Sequence, residues 1–228
     1  MFESIAEAVF HYANVQPDKL CLVDDDGCVS YKQYADKIAE YAGCFVRLGI
    51  VKEERVVVEA CQTIDYLAIG LALQLIGAVF VPVEHNCAVE KISSFAERAD
   101  AKVVITCNEG SSPERSWFTY EQMKSLCKEI QPHVPDVFPA KMNVCEILFS
   151  TGTTGKEKGI VITNKNNIAL AENVMYGVEM EKDNVEMIPS PMNHSHGLRR
   201  YYANMYNGST VVLLGSVVNV KRFFENID

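Results

Sequence analysis

The chain has 228 residues, 48% hydrophobic and 22% charged, which suits a globular protein able to bury a sizeable core. Thirty Asp+Glu against 21 Lys+Arg give a formal net charge of −9, and the basic residues are scattered. The long-range field therefore opposes a nucleic-acid backbone or an anionic membrane, and an anionic small molecule would need a local pocket of amides and cations.

The opening "MFESIAEAVF" carries Glu3 and Glu7 and lacks a basic segment before an apolar one, so it does not read as a secretory leader. Eight cysteines (Cys21, Cys28, Cys44, Cys61, Cys87, Cys107, Cys127 and Cys145) lie in apolar segments with no C-x-x-C pair and no His at ligand spacing. Reduced, mostly buried thiols and a cytoplasmic location are the expectation.

Ser30 with Gln33 forms a capping box, and apolar residues at 34, 38, 41, 45 and 48 keep helical spacing, predicting a helix over 31–48. "RVVVEA" (55–60) reads as a strand. The apolar stretch "YLAIGLALQLIGAVFVPV" (66–83) is interrupted by Gln74 and Gly77 and ends β-rich, so it reads as a buried helix running into a buried strand. "VEKISSFAERAD" is an amphipathic helix and "KVVIT" (102–106) a strand. Strand and helix in alternation, with short apolar strands, predict an α/β fold of mostly parallel sheets layered with helices.

Thr119 with Gln122 opens a short helix by a second capping box. "QPHVPDVFPA" (131–140) holds three prolines, which makes it the linker candidate. Strands at "VCEILF" (144–149) and "GIVIT" (159–163) flank a polar loop, and Thr163 caps a helix to about 180. A short strand entering the loop "PSPMNHSHGL", a helix in "RRYYANMYNG" ended by Gly208, the strand "STVVLLG" and a helix pattern in "VKRFFENID" complete the chain.

The loop in "ILFSTGTTGKEKGIVIT" (147–163) concentrates hydroxyls at Ser150, Thr151, Thr153 and Thr154, glycines at 152 and 155, and cations at Lys156 and Lys158. Hydroxyls and inward-pointing amides suit a phosphate chain, although a Gly- and Thr-rich hairpin turn has the same composition. The spacing is not that of a Walker P-loop, since Ser150 replaces the first glycine and Glu157 follows Lys156. No G-x-G-x-x-G supports a dinucleotide-binding oxidoreductase.

"FSTGTTGKEKG" resembles the phosphate-loop signature of the adenylate-forming superfamily, which groups acyl-CoA synthetases, peptide-synthetase adenylation domains and firefly-type luciferases. Three more stretches resemble it in the same order: the opening strand pair and helix of 21–58, "DYLAIGLALQLIGAVFVPVEHN", and "PMNHSHGL" as a P-x-x-H-x-x-G loop. Glu157 departs from the pattern by standing where the family has Pro, and an acidic side chain beside a triphosphate is unfavourable unless it points to solvent.

The resemblance implies attack of a carboxylate on the α-phosphate of Mg-ATP, giving an acyl-adenylate and pyrophosphate, with CoA or a carrier-protein thiol as later acceptor. It implies that Ser150, Thr151, Gly152, Thr153, Thr154 and Gly155 hold the phosphates, helped by Lys158, and that His194 orients the reacting carboxylate. Ser195 stands where peptide-synthetase relatives place an Asp for an ammonium, which favours a simple carboxylic acid, fatty or aryl, over an α-amino acid. Arg199 and Arg200 read as a solvated helix face, and the H-x-H of His194 and His196 finds no third ligand, so no metal site is expected.

The family's later motifs for adenine, ribose and Mg²⁺, and its C-terminal lysine domain, find no counterpart before Asp228. The resemblance thus implies residues 1–228 as a truncated N-terminal AMP-binding domain of a ligase, inactive alone, with lobes at 53–183 and at 1–52 plus 184–228. The alternative is a non-catalytic nucleotide-binding or interaction module of the same descent. The last strand of an incomplete second lobe would expose unpaired backbone, and self-association through that edge is expected.

Overall fold

A computed structural model of the chain describes residues 2–151 and 157–214. The first part forms helix α1 (Ile5–Val15), strands β1 (Leu20–Val23) and β2 (Cys28–Ser30), helix α2 (Tyr31–Arg47), strand β3 (Arg55–Glu59), helix α3 (Ile64–Leu75) and strand β4 (Val79–Val83). Helix α4 (Val89–Ala99), strands β5 (Ala101–Thr106) and β6 (Ser116–Thr119), helix α5 (Tyr120–Cys127) and the hairpin of β7 (Val144–Thr151) and β8 (Glu157–Thr163) follow. Helix α6 (Asn164–Gly177), strand β9 (Val185–Ile188), helix α7 (Ser195–Asn207) and strand β10 (Thr210–Leu213) complete the described residues.

Helix starts follow side-chain chemistry. The Ser30, Thr119 and Thr163 hydroxyls each accept from the backbone N–H three residues on, and each closes a capping box. Thr63 caps α3, in which every residue from Tyr66 to Leu75 is buried, so this apolar run is a core helix. No helix among the described residues is long and apolar enough to cross a membrane.

The strands form two sheets, ordered β2-β1-β10-β9 and β6-β5-β3-β4-β7-β8. In the larger sheet every pairing is parallel except the β7–β8 hairpin. The period of two along β3 sends Val56 and Val58 into the core shared with α3 and sends Val57 into a second cluster under α4. Both faces are covered, as a parallel sheet requires. The first cluster also reaches Leu22 and Val211 of the smaller sheet, and its tyrosines are satisfied: Tyr34 and Tyr201 share a hydroxyl hydrogen bond of 2.5 Å, and Tyr31 donates to the Ser209 carbonyl at 2.6 Å.

Several expectations need correction. The last described strand, β10, is not an edge: β1 and β9 pair with it on either side, and among the described residues the open edges of that sheet are β2 and β9. The cysteines are not all thiols, because Cys44 of α2 and Cys127 of α5 are bonded, their Cα atoms 5.7 Å apart. Residues 131–140 are a strap across α1 and α2, with the His133 N–H donating to the Ala39 carbonyl at 2.9 Å and the Phe138 ring 5.7 Å from Phe10. The helix expected from residue 199 begins at Ser195, which makes His194 its N-cap residue. The helix pattern in "VKRFFENID" lies outside the described residues.

Candidate functional site

A cleft of about 300 Å³ opens where the ends of β4 and β7, helix α4 and the N-terminus of α7 converge. It brings Ser150 and His194, 44 positions apart in sequence, to one cavity, with Ser195 beside them. Ser150 is exposed near the end of β7, directly opposite Lys158 of β8 in the hairpin register, and Thr151 is opposite Glu157. Gly152, Thr153, Thr154 and Gly155 lie outside the described residues.

His194 is exposed, and its Nε2 lies 3.4 Å from the neighbouring Asn193 Nδ2. Its backbone carbonyl accepts from the Leu198 N–H at 3.2 Å, the first turn of α7. The loop before it is held by two side chains that sequence reading passed over. Gln62 donates to the Ser190 carbonyl at 3.2 Å and accepts from the Met192 N–H at 3.1 Å, and the buried Tyr66 hydroxyl donates to the Met192 carbonyl at 2.9 Å. Burial pushes the Tyr66 phenol well above its ordinary range, so it stays a neutral donor.

Gly197, the last residue of P-x-x-H-x-x-G, has a physical reason to be glycine. A Cβ there would sit 2.5 Å from the Pro191 carbonyl oxygen and 2.9 Å from that of Ser190, so only a bare backbone lets α7 start this close to the loop.

Glu157 does not point freely to solvent. Its carboxylate lies 3.3 Å from Arg98 Nη1 and 3.7 Å from Lys91 Nζ, and the Arg98 guanidinium also donates to its backbone carbonyl at 2.5 Å. The same guanidinium stacks 4.8 Å above the Phe149 ring, which packs on Phe95 at 4.6 Å. The residue that replaces proline therefore ties the start of β8 to α4, and its charge is matched.

Arg199 and Arg200 are not a solvated face. Arg199 is 6% exposed and donates to the fully buried Glu146 and, at 2.5 Å, to Asn167 Oδ1. Arg200 donates to Glu186 at 2.5 Å. The reason is tertiary: β7 and β9 each present a carboxylate to α7, which a helix read alone does not reveal. Tyr202 donates to the second Glu146 oxygen at 2.7 Å and accepts from Gln74 at 2.8 Å, so the polar residue that breaks the apolar run of α3 belongs to this network. The chain segments bearing Ser150 and His194 are thereby joined behind the cleft.

Residues 9–228 match the family model described as AMP-binding enzyme. Among curated relatives, the chain is 30% identical over 192 residues to Delta-poly-L-ornithine synthetase of Acinetobacter baumannii, covering 80% of this chain and 14% of that protein. It is 21% identical over 214 residues to 2-succinylbenzoate–CoA ligase of Bacillus cereus, covering 94% of this chain and 44% of that one. The solved N-terminal domain of FACL13 from Mycobacterium tuberculosis superposes with a TM-score of 0.90 at 20% identity, over 99% of this chain and 60% of that one. The chain thus spans less than half the length of these two curated relatives.

Proposed function

The chain belongs to the AMP-binding enzyme family, and from that premise we propose that it supplies the phosphate-holding and carboxylate-facing part of an ATP-dependent ligase that activates a carboxylic acid as its adenylate. One observation carries the reading: the described start of the phosphate loop, at Ser150, and the His194 loop open on one cleft. Ser150 and Lys91 line the cleft, Lys158 stands opposite Ser150 in the hairpin register, and the two carboxylates of the wall, Glu84 and Glu157, are each paired with Lys91, so a triphosphate meets hydroxyl and cation there without a free acidic group. Thr151 and residues 152–155 would add hydroxyls and amides. Mg²⁺ would arrive on the phosphates and offset their charge there.

In this reading Lys158 draws charge from the β- and γ-phosphates as pyrophosphate leaves, and His194 donates to the substrate carboxylate so that it approaches the α-phosphate despite repulsion. Ser195 leaves the position beside His194 without a carboxylate, which favours an acid lacking an α-ammonium. The relative named for poly-ornithine and the one named for 2-succinylbenzoate fall on opposite sides of that choice. CoA or a carrier thiol would accept the acyl group. The lobes proposed are 53–183 and 1–52 with 184–228.

The test is carboxylate-dependent ATP–pyrophosphate exchange in a protein that joins this chain to the adenine, ribose and Mg²⁺ motifs. K158A should raise the KM for ATP by about tenfold, and H194A should lower kcat by about a hundredfold with little change in that KM. Exchange indifferent to both substitutions overturns the proposal. ATP binding with no exchange for any acid tried would favour the non-catalytic module. The 228-residue chain by itself is expected to give no exchange.

A further inference from the structure

Behind the cleft wall, the three adjacent parallel strands β5, β3 and β4 end together, and just past each end stands a side chain able to bind metal. Cys61 follows β3 by two residues, His85 follows β4 by two, and Cys107 follows β5 directly. One ligand atom from each lies within 4.8 Å of the others: Cys61 Sγ is 2.7 Å from Cys107 Sγ, which is 3.8 Å from His85 Nδ1. None of this depends on the ligase reading.

We propose that Cys61, His85 and Cys107 form a Cys₂His site for a thiophilic d¹⁰ ion, Zn²⁺, with the fourth corner open to solvent. Tetrahedral zinc with bonds of about 2.3 Å to sulfur and about 2.0 Å to nitrogen sets edges of about 3.5–3.8 Å. The Cys107–His85 edge already has that length. The two sulfurs need to separate by about 1 Å, which side-chain rotation of two half-buried cysteines supplies.

A second observation points to a cation. Glu59 is 3% exposed, and its ionic partner among the described residues is His85, with Glu59 Oε1 3.4 Å from Nδ1. Its two oxygens also accept from the N–H groups of Asn86 at 2.8 Å and Cys107 at 2.9 Å, which hold the negative charge beside the cluster. Asn86 adopts a left-handed φ of 57°, so the backbone turns sharply right after His85 to make that contact. A divalent ion would match the buried carboxylate and displace two thiol protons as the thiolates bind.

The reduced chain should take up one equivalent of Zn²⁺ in competition with a chromogenic chelator. Co²⁺ in its stead should give thiolate-to-metal charge-transfer absorption and tetrahedral visible bands. C61S and C107S should abolish these bands, H85A should weaken affinity by about tenfold or more, and C28S, an exposed cysteine elsewhere, should change nothing. Should a variant fail to fold, Zn²⁺ should still shield Cys61 and Cys107 of the unmodified chain, but not Cys28, from alkylation read by mass spectrometry. Absence of the charge-transfer band, metal uptake unchanged in C61S and C107S, no protection from alkylation, or a Cys61–Cys107 disulfide that takes up no metal once reduced would overturn the proposal.

Discussion

Arg199 of α7 and Glu146 of β7 form an ion pair in the interior, the carboxylate fully buried and the guanidinium side chain 8% exposed. Breaking such a pair from one side strands a charge without water, which costs more than the pair is worth against an apolar alternative. R199M should therefore destabilise the chain by about 3–5 kcal/mol, and E146Q combined with R199M should cost clearly less than the sum of the single changes. Urea unfolding of the four proteins of this cycle checks it, and strict additivity would mean that the two residues act independently.

Gly197 allows the next test. A methyl group there meets two carbonyl oxygens of the loop that carries His194, and backbone atoms cannot yield as a flexible side chain would. G197A should cost about 1–3 kcal/mol in stability and lower exchange activity more than stability alone accounts for, because the loop shifts. Thermal unfolding and exchange rates measured on the same preparation separate the two effects.

Asp65 opens α3 and accepts from Lys37 at 2.8 Å and from Tyr41 at 2.8 Å, with Lys124 3.1 Å from its second oxygen. Burial pushes this carboxyl up, but the hydrogen bonds from Lys37, Tyr41 and Lys124 and the charge of Lys37 outweigh it and hold the group below its ordinary value. The unfolded chain therefore binds this proton first as pH falls, and the stabilisation present above the ordinary carboxylate pKa is lost as pH descends through the lower folded value. D65N should cost about 1–3 kcal/mol at neutral pH and flatten the acid limb of the stability profile. An unchanged acid limb in D65N would sink this assignment.

Glu157 occupies Arg98 and Lys91 at the mouth of the cleft. Removing its charge while keeping its shape releases Arg98 and leaves Lys91 only its 3.7 Å pairing with Glu84, which makes the field near the proposed triphosphate more positive. E157Q should tighten MgATP binding by severalfold, an effect of about 1 kcal/mol that shrinks with added salt. Calorimetric titration at low and high ionic strength measures it, and weaker binding at low salt would contradict the electrostatic account.

How far the sequence could be read depended on the range of the signal. The capping boxes read at Ser30 and Thr119 and the cap read at Thr163 act within three residues, and each marks a helix start in the structure. The alternation of apolar strands and helices likewise led to a largely parallel sheet. Helix α1 had a short-range mark that went unread, the Ser4 hydroxyl accepting from the Glu7 N–H at 3.1 Å. Strand β6 was hidden because its last residue, Thr119, doubles as a helix cap. Arg199, Gln62 and the Cys61–His85–Cys107 cluster left no local trace: their partners lie 53, 128 and 22–46 residues away, the cluster brought together by the crossovers among β3, β4 and β5 and the other two by the packing of the two sheets' elements on each other.

The buried pair behind the cleft also bears on how such a chain can change over generations. Losing either member first would spend a large share of the 5–15 kcal/mol that typically keeps a domain folded. A lineage can discard the ion pair cheaply only by replacing both residues together, or after stabilising substitutions elsewhere have accumulated. Glu146 and Arg199 therefore form a ratchet: once acquired, the bond between the two loop-bearing segments resists stepwise removal, whatever acid the cleft comes to accept.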